Sequence, residues 1–61
     1  MTYRQFVAEW VTTDYRALIK QYGPTPRENH ATIAWVLRQW YDGRISAPSA
    51  RLVLELVVAH R

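Results

Sequence analysis

The chain contains no cysteine, which excludes disulfides and thiolate metal sites and fits a reducing cytoplasm. Histidine is nearly as scarce, with only His30 and His60, and the five acids Glu9, Asp14, Glu28, Asp42 and Glu55 are scattered. Glu28 and His30 lie two apart, on different sides of a helix, so no metal site is expected. Ser46 and Ser49 fall in a turn and a helix start, where capping accounts for serine, and the helix dipole accounts for a His60 near a helix C-terminus. No acid, base and nucleophile converge, so the expectation is a chain that is not an enzyme and carries no cofactor. Long apolar runs are also missing: Leu52-Val53-Leu54 stops at Glu55, far short of the ~20 residues of a membrane span. Met1 to Gln5 lead into an amphipathic stretch rather than a signal-peptide core, and a cytoplasmic protein is expected. No apolar-polar alternation supports a strand.

What is present is apolar bulk in a short chain. The 61 residues make room for one domain, 1–61, and 49% of them are hydrophobic, with three Trp, four Tyr and one Phe. So high an apolar share in so small a domain points to burial between subunits, and the expected oligomer is a homodimer. The net charge of +3 permits nucleic-acid or acidic protein partners and selects neither.

Helical spacing runs through the chain and predicts an all-α fold of three or four short helices. Phe6, Val7, Trp10 and Val11 form one apolar face. Tyr15, Leu18, Ile19 and Tyr22 form a second, rotated from the first by roughly a quarter turn at about 100° per residue. With Thr12-Thr13-Asp14 as a capping cluster, two helices at about 3–11 and 14–22 are preferred to one long one. Gly23-Pro24 then turns the chain. A capping box is predicted at Thr25-Pro26-Arg27-Glu28, with Thr25 as cap, Pro26 in the first helical position and Glu28 reaching back. The helix it opens, about 26–42, buries Ile33, Val36, Leu37, Trp40 and Tyr41 and stops at Gly43. Pro48 lies in the first turn of a last helix reaching about Ala59, apolar nearly all round and broken only by Arg51 and Glu55. Such a helix must be central or lie in an interface.

Two partner classes follow, DNA as the preferred one and a protein as the alternative. Leu18 to Gly23, a short turn and the helix at 26–42 have the plan of a helix-turn-helix, and Arg27, Asn29 and His30 are residue types that contact phosphates or base edges from the start of a recognition helix. Arg38 and Arg44 extend this candidate DNA-binding set. The stretch Trp40-Tyr41-Asp42-Gly43-Arg44, followed by Pro48-Ser49-Ala50-Arg51-Leu52-Val53-Leu54-Glu55-Leu56, resembles the tail of small Cro/repressor-type helix-turn-helix regulators, in which a Trp-x-x-Gly turn precedes a Pro-led, leucine-rich helix. The resemblance covers the C-terminal third and implies a DNA-binding transcriptional regulator of bacterial, plasmid or phage type. The other class is a small helical module that binds a protein, such as an inhibitor of a host protein. Its candidate interface residues are Trp35, Leu54 and Val58. Trp35 lies about 180° from the apolar face of its helix, and its simplest placement is beneath the last helix or another subunit.

Overall fold

Thr2 opens the first helix with a reciprocal cap. Its Oγ1 accepts the Gln5 N–H at 3.1 Å while Gln5 Oε1 accepts the Thr2 N–H at 2.9 Å, satisfying two donors that helix geometry leaves free. The computed structural model describes residues 1–59, so His60 and the reading given to it lie outside the described residues. Helix α1 (Tyr3–Trp10) passes through a π turn (Val11–Tyr15) into α2 (Arg16–Tyr22); a 3-10 turn (Arg27–Asn29) leads into α3 (His30–Tyr41), and α4 (Ala47–Ala59) completes the order. No strand occurs among the described residues.

The expected break near residue 12 is not a break. Trp10, Val11, Tyr15 and Arg16 all hold right-handed helical dihedrals, so residues 3–22 form one continuous rod. The threonines explain the local widening. Thr12 Oγ1 donates to the Ala8 carbonyl at 2.9 Å and Thr13 Oγ1 to the Glu9 carbonyl at 2.7 Å, competing with backbone donors for those acceptors. The Arg16 N–H then bonds back to Val11, five residues away. One extra residue in a turn sets the following side chains back by about 100°. That is the offset between the two apolar faces, and the π turn brings both onto one side of the rod.

The capping box at Thr25 is likewise corrected. Pro26 is extended at ψ 143°, the chain first closes a 3-10 turn through Asn29 N–H to Pro26 C=O at 2.9 Å, and α-helical geometry begins only at His30. Thr25 is therefore several residues too early to cap α3. Its side chain is instead buried, with no hydrogen-bond partner for Oγ1. A buried hydroxyl without a partner carries a desolvation penalty of about 1–3 kcal/mol, which an apolar group of the same shape avoids. Thr25→Val is accordingly expected to stabilise the fold by about 1 kcal/mol in urea denaturation. A loss of that size would restore a capping role for the hydroxyl.

The two glycines have separate tasks. Gly23 (φ 93°, ψ 176°) occupies a region open essentially to glycine alone and releases the chain from α2. Gly43 (φ 77°) ends α3 with Gly43 N–H to Trp40 C=O at 3.0 Å and Arg44 N–H to Gln39 C=O at 2.9 Å, the paired bonds of a Schellman stop. Ser46 then caps α4, its Oγ facing the Ser49 N–H at 3.4 Å and its carbonyl accepting the Ala50 N–H at 2.9 Å.

The core forms where α4 meets the other helices. Trp10, Ile33, Val36, Leu37, Ala50, Leu54 and Val58 are buried, with Phe6, Leu18, Ile19, Trp40 and Val57 packed against them. Aromatic contacts tie α1 to α3: Phe6 meets Trp40 edge-on with centroids 4.9 Å apart, and Tyr3 meets Tyr41 at 5.4 Å, geometries favoured by ring quadrupoles. Tyr41 also donates to the Met1 carbonyl at 2.8 Å. The predicted buried face of α3 is thus confirmed, with Ile33, Val36 and Leu37 fully inside and Trp40 and Tyr41 partly so.

Candidate interaction surface

Helix α4 has too few partners for an all-round apolar surface. Ala50, Leu54 and Val58 recur every four residues and face the core, each fully buried. Leu54 and Val58, expected at an interface between molecules, therefore belong to the interior of this one. The apolar side chains that α4 shows to solvent are Leu52 (61% exposed), Leu56 (58%) and Val53 (40%). The charged residues of α4, Arg51 and Glu55, are exposed and lie along the edge of the helix, against neighbouring elements, rather than at the centre of its outer face. Arg51 stacks its guanidinium 5.5 Å from the Trp40 ring centre and approaches Asp14 Oδ2 at 3.4 Å. Glu55 accepts the Tyr22 hydroxyl at 2.7 Å.

The Tyr22 to Glu55 bond holds the Tyr22 phenol above its ordinary value of 10.0, first through the hydrogen bond, then through lost hydration and the Glu55 charge. A raised folded value means that this contribution to stability is fully present below pH 10 and is lost as pH rises through the elevated range. In an alkaline ultraviolet titration, the highest-titrating tyrosine phase is expected to disappear in Tyr22→Phe. Survival of that phase would assign it to another tyrosine.

Trp35 is 63% exposed, so α4 does not cover it and the expected packing over this ring is absent within the chain. It follows Thr32 by three residues, a neighbouring position on the helix surface. Asn29 of the 3-10 turn, Thr32 of α3 and Val53, Leu56 and Val57 of α4 line a shallow groove of about 510 Å³. Beside the hollow between α3 and α4, helical spacing puts two exposed apolar side chains one turn from its lining: Trp35 three residues after Thr32, and Leu52 four before Leu56.

The five candidate DNA-binding residues do not gather into one patch. Arg27 is exposed in the 3-10 turn, Asn29 is half-buried beside the groove, and His30 is exposed on the side of α3 that faces α1. Arg38 and Arg44 lie toward the opposite end of a 12-residue helix, about 18 Å long. Arg38 is engaged: its Nε bonds Asp42 at 3.1 Å and its guanidinium sits 4.8 Å from the centre of the Tyr3 ring. Arg44 is exposed in the turn before α4. Helix α2, the segment just before Gly23, packs on α4, whereas it is α1 that packs on α3, and seven residues, 23–29, separate the two helices of the expected helix-turn-helix.

Among the described residues no group of three or more His, Cys, Asp or Glu could hold a metal ion, and no helix is long and apolar enough to cross a membrane. No protein-family profile, curated protein or solved structure matches the chain.

Proposed function

We propose that the chain is a small helical protein-interaction module, not an enzyme, and that the partner of its α3–α4 face is a second copy of itself. The observation that carries this reading is the exposure of Leu56 in the hollow lined with Thr32 and Val53, together with that of Trp35 and Leu52, each one helical turn from a lining residue. Large apolar side chains clustered on a soluble surface are characteristic of contact sites. Trp is also among the residues that dominate binding energy when buried at an interface. A patch holding both protrusions and a hollow is suited to a two-fold contact, in which each copy's projecting side chains enter the other's groove.

The test uses fluorescence quenching by acrylamide. Trp10 is buried and Trp40 partly so, which leaves Trp35 as the most accessible of the three rings. Quenching is expected to fall as the protein is concentrated from submicromolar to hundred-micromolar, and to do so almost independently of salt, because apolar contacts are not screened. Concentration-independent quenching would contradict the reading.

A second reading, a helix-turn-helix-like DNA-binding transcriptional regulator, is favoured by the exposure of Arg27 and His30 at the start of α3 and of Arg44 beyond its end. On this reading binding to a duplex weakens steeply with salt through counterion release, and Arg27→Ala and Asn29→Ala weaken it further. Failure to retain any duplex from a random-sequence pool at low salt would dispose of it.

A further inference from the structure

A second apolar surface lies on the other side of α3, and nothing in the dimer reading uses it. Between α1 and α3 runs an open groove of about 640 Å³, within the size range of about 300–1,000 Å³ typical of binding pockets. Its floor is Trp10, Ile33 and Leu37, all buried; Val7, Val11 and Tyr15 form a wall, and Tyr3 closes one end by donating its hydroxyl to the Ala34 carbonyl at 3.3 Å. Ala8 on α1 and Ala34 on α3, both exposed, leave its mouth open.

Three properties narrow the occupant. The first is length: from Val7 to Tyr15 the open lining follows about 12 Å of helix, enough for two turns of a partner helix laid alongside. The second is charge. No Asp or Glu lines the groove, whereas the cation Arg4 does; His30, also in the lining, offers a ring N–H donor, and both are exposed. The third is the π turn, whose residues Val11 and Tyr15 form the far end of the wall; such turns occur frequently at functional sites. Val11 is 38% exposed there, an apolar side chain facing the open groove.

The geometry points to a docking groove for an amphipathic helix of another protein, with apolar residues seated between α1 and α3 and acidic residues meeting Arg4 and His30. This is the helix-in-groove mode, read by apolar anchors at i, i+3 or i+4, and i+7. A small apolar acid would fit the same chemistry but would leave most of an open, elongated groove unfilled.

Fluorescence anisotropy with a labelled 14-residue peptide tests the assignment. The probe carries Leu and Phe at helical anchor spacing and Glu on the flanks, and its control has every Glu replaced by Lys. The acidic peptide is expected to bind at least tenfold more tightly than the control, and its advantage should shrink as salt rises. Ala34→Trp, which fills the groove, and Ala8→Glu, which places a carboxylate at its mouth, should each weaken binding at least tenfold. Gln21→Ala, on an exposed part of α2 away from the groove, should leave it unchanged. Circular dichroism checks that the variants fold, and Ala8→Glu decides if Ala34→Trp does not. Equal affinity for the two peptides would overturn the proposal, as would indifference to Ala8→Glu or binding of decanoate with none of the peptide. Because this groove lies apart from Trp35 and Leu56, its failure leaves the self-association reading intact, and the reverse also holds.

Discussion

Leu54→Ala is expected to be the most damaging single truncation in the chain. The side chain is completely buried where α4 meets the core, and removing a buried leucine costs about 2–5 kcal/mol through lost transfer energy and the cavity left behind. A 61-residue domain has a total stability of roughly 3–9 kcal/mol, so this one change removes a large part of it. The comparison is Leu52→Ala, two positions away and 61% exposed. At submicromolar concentration, where self-association is absent, it should shift stability by no more than about 0.5 kcal/mol. Urea denaturation followed by circular dichroism checks the pair. Similar losses from both would mean that α4 is rotated about its axis relative to the arrangement described here.

Trp35→Ala is expected to do the opposite: to spare the fold and impair association. The ring is largely exposed and belongs to no part of the core, so thermal unfolding at low concentration should be unchanged. Loss of a buried aromatic anchor from an interface costs about 2 kcal/mol or more; a two-fold contact loses two of them, about 4 kcal/mol, which corresponds to roughly a thousandfold rise in the dimer Kd. A variant that dimerises as tightly as the wild type would remove Trp35 from the interface.

These two residues also show how far the sequence is legible. The apolar face of α3 could be read directly, because Ile33, Val36 and Leu37 follow the 3.6-residue period and polar residues occupy the other side. The position of Trp35 opposite that face was legible for the same reason, though its cover was not. The orientation of α4 was hidden. Polar side chains ordinarily mark the centre of a helix's solvent face, whereas Arg51 and Glu55, though exposed, sit at the edge of α4 against Trp40, Asp14 and Tyr22, so Leu54 and Val58 looked available and Leu52 and Leu56 did not stand out. Reading Arg51 and Glu55 as edge contacts within the bundle would have placed the open stripe correctly.

The junction near residue 12 teaches a related point. The quarter-turn offset between apolar faces is a property of the sequence, but it has two physical remedies: ending one helix and starting another, or adding a residue to one turn. Thr12 and Thr13, which suggested a cap, bond back to Ala8 and Glu9 instead and favour the second. At Thr25 the pattern of a capping box was present while its geometry was not, because Pro26 adopted an extended conformation and displaced the α-helical start to His30. The groove between α1 and α3 had no local signature at all, since its lining residues come from two segments more than a dozen positions apart.

The claim that the α3–α4 face joins two copies of this chain is tested most directly by sedimentation equilibrium of the wild type beside Leu56→Glu. Leu56 is exposed on that face, and a carboxylate there would have to lose its hydration in the contact without a partner. The expected mass is twice 7.2 kDa for the wild type at micromolar to hundred-micromolar concentration and 7.2 kDa for the variant, with folded circular dichroism in both. A wild type that remains at 7.2 kDa throughout, or a variant that dimerises equally well, would contradict it.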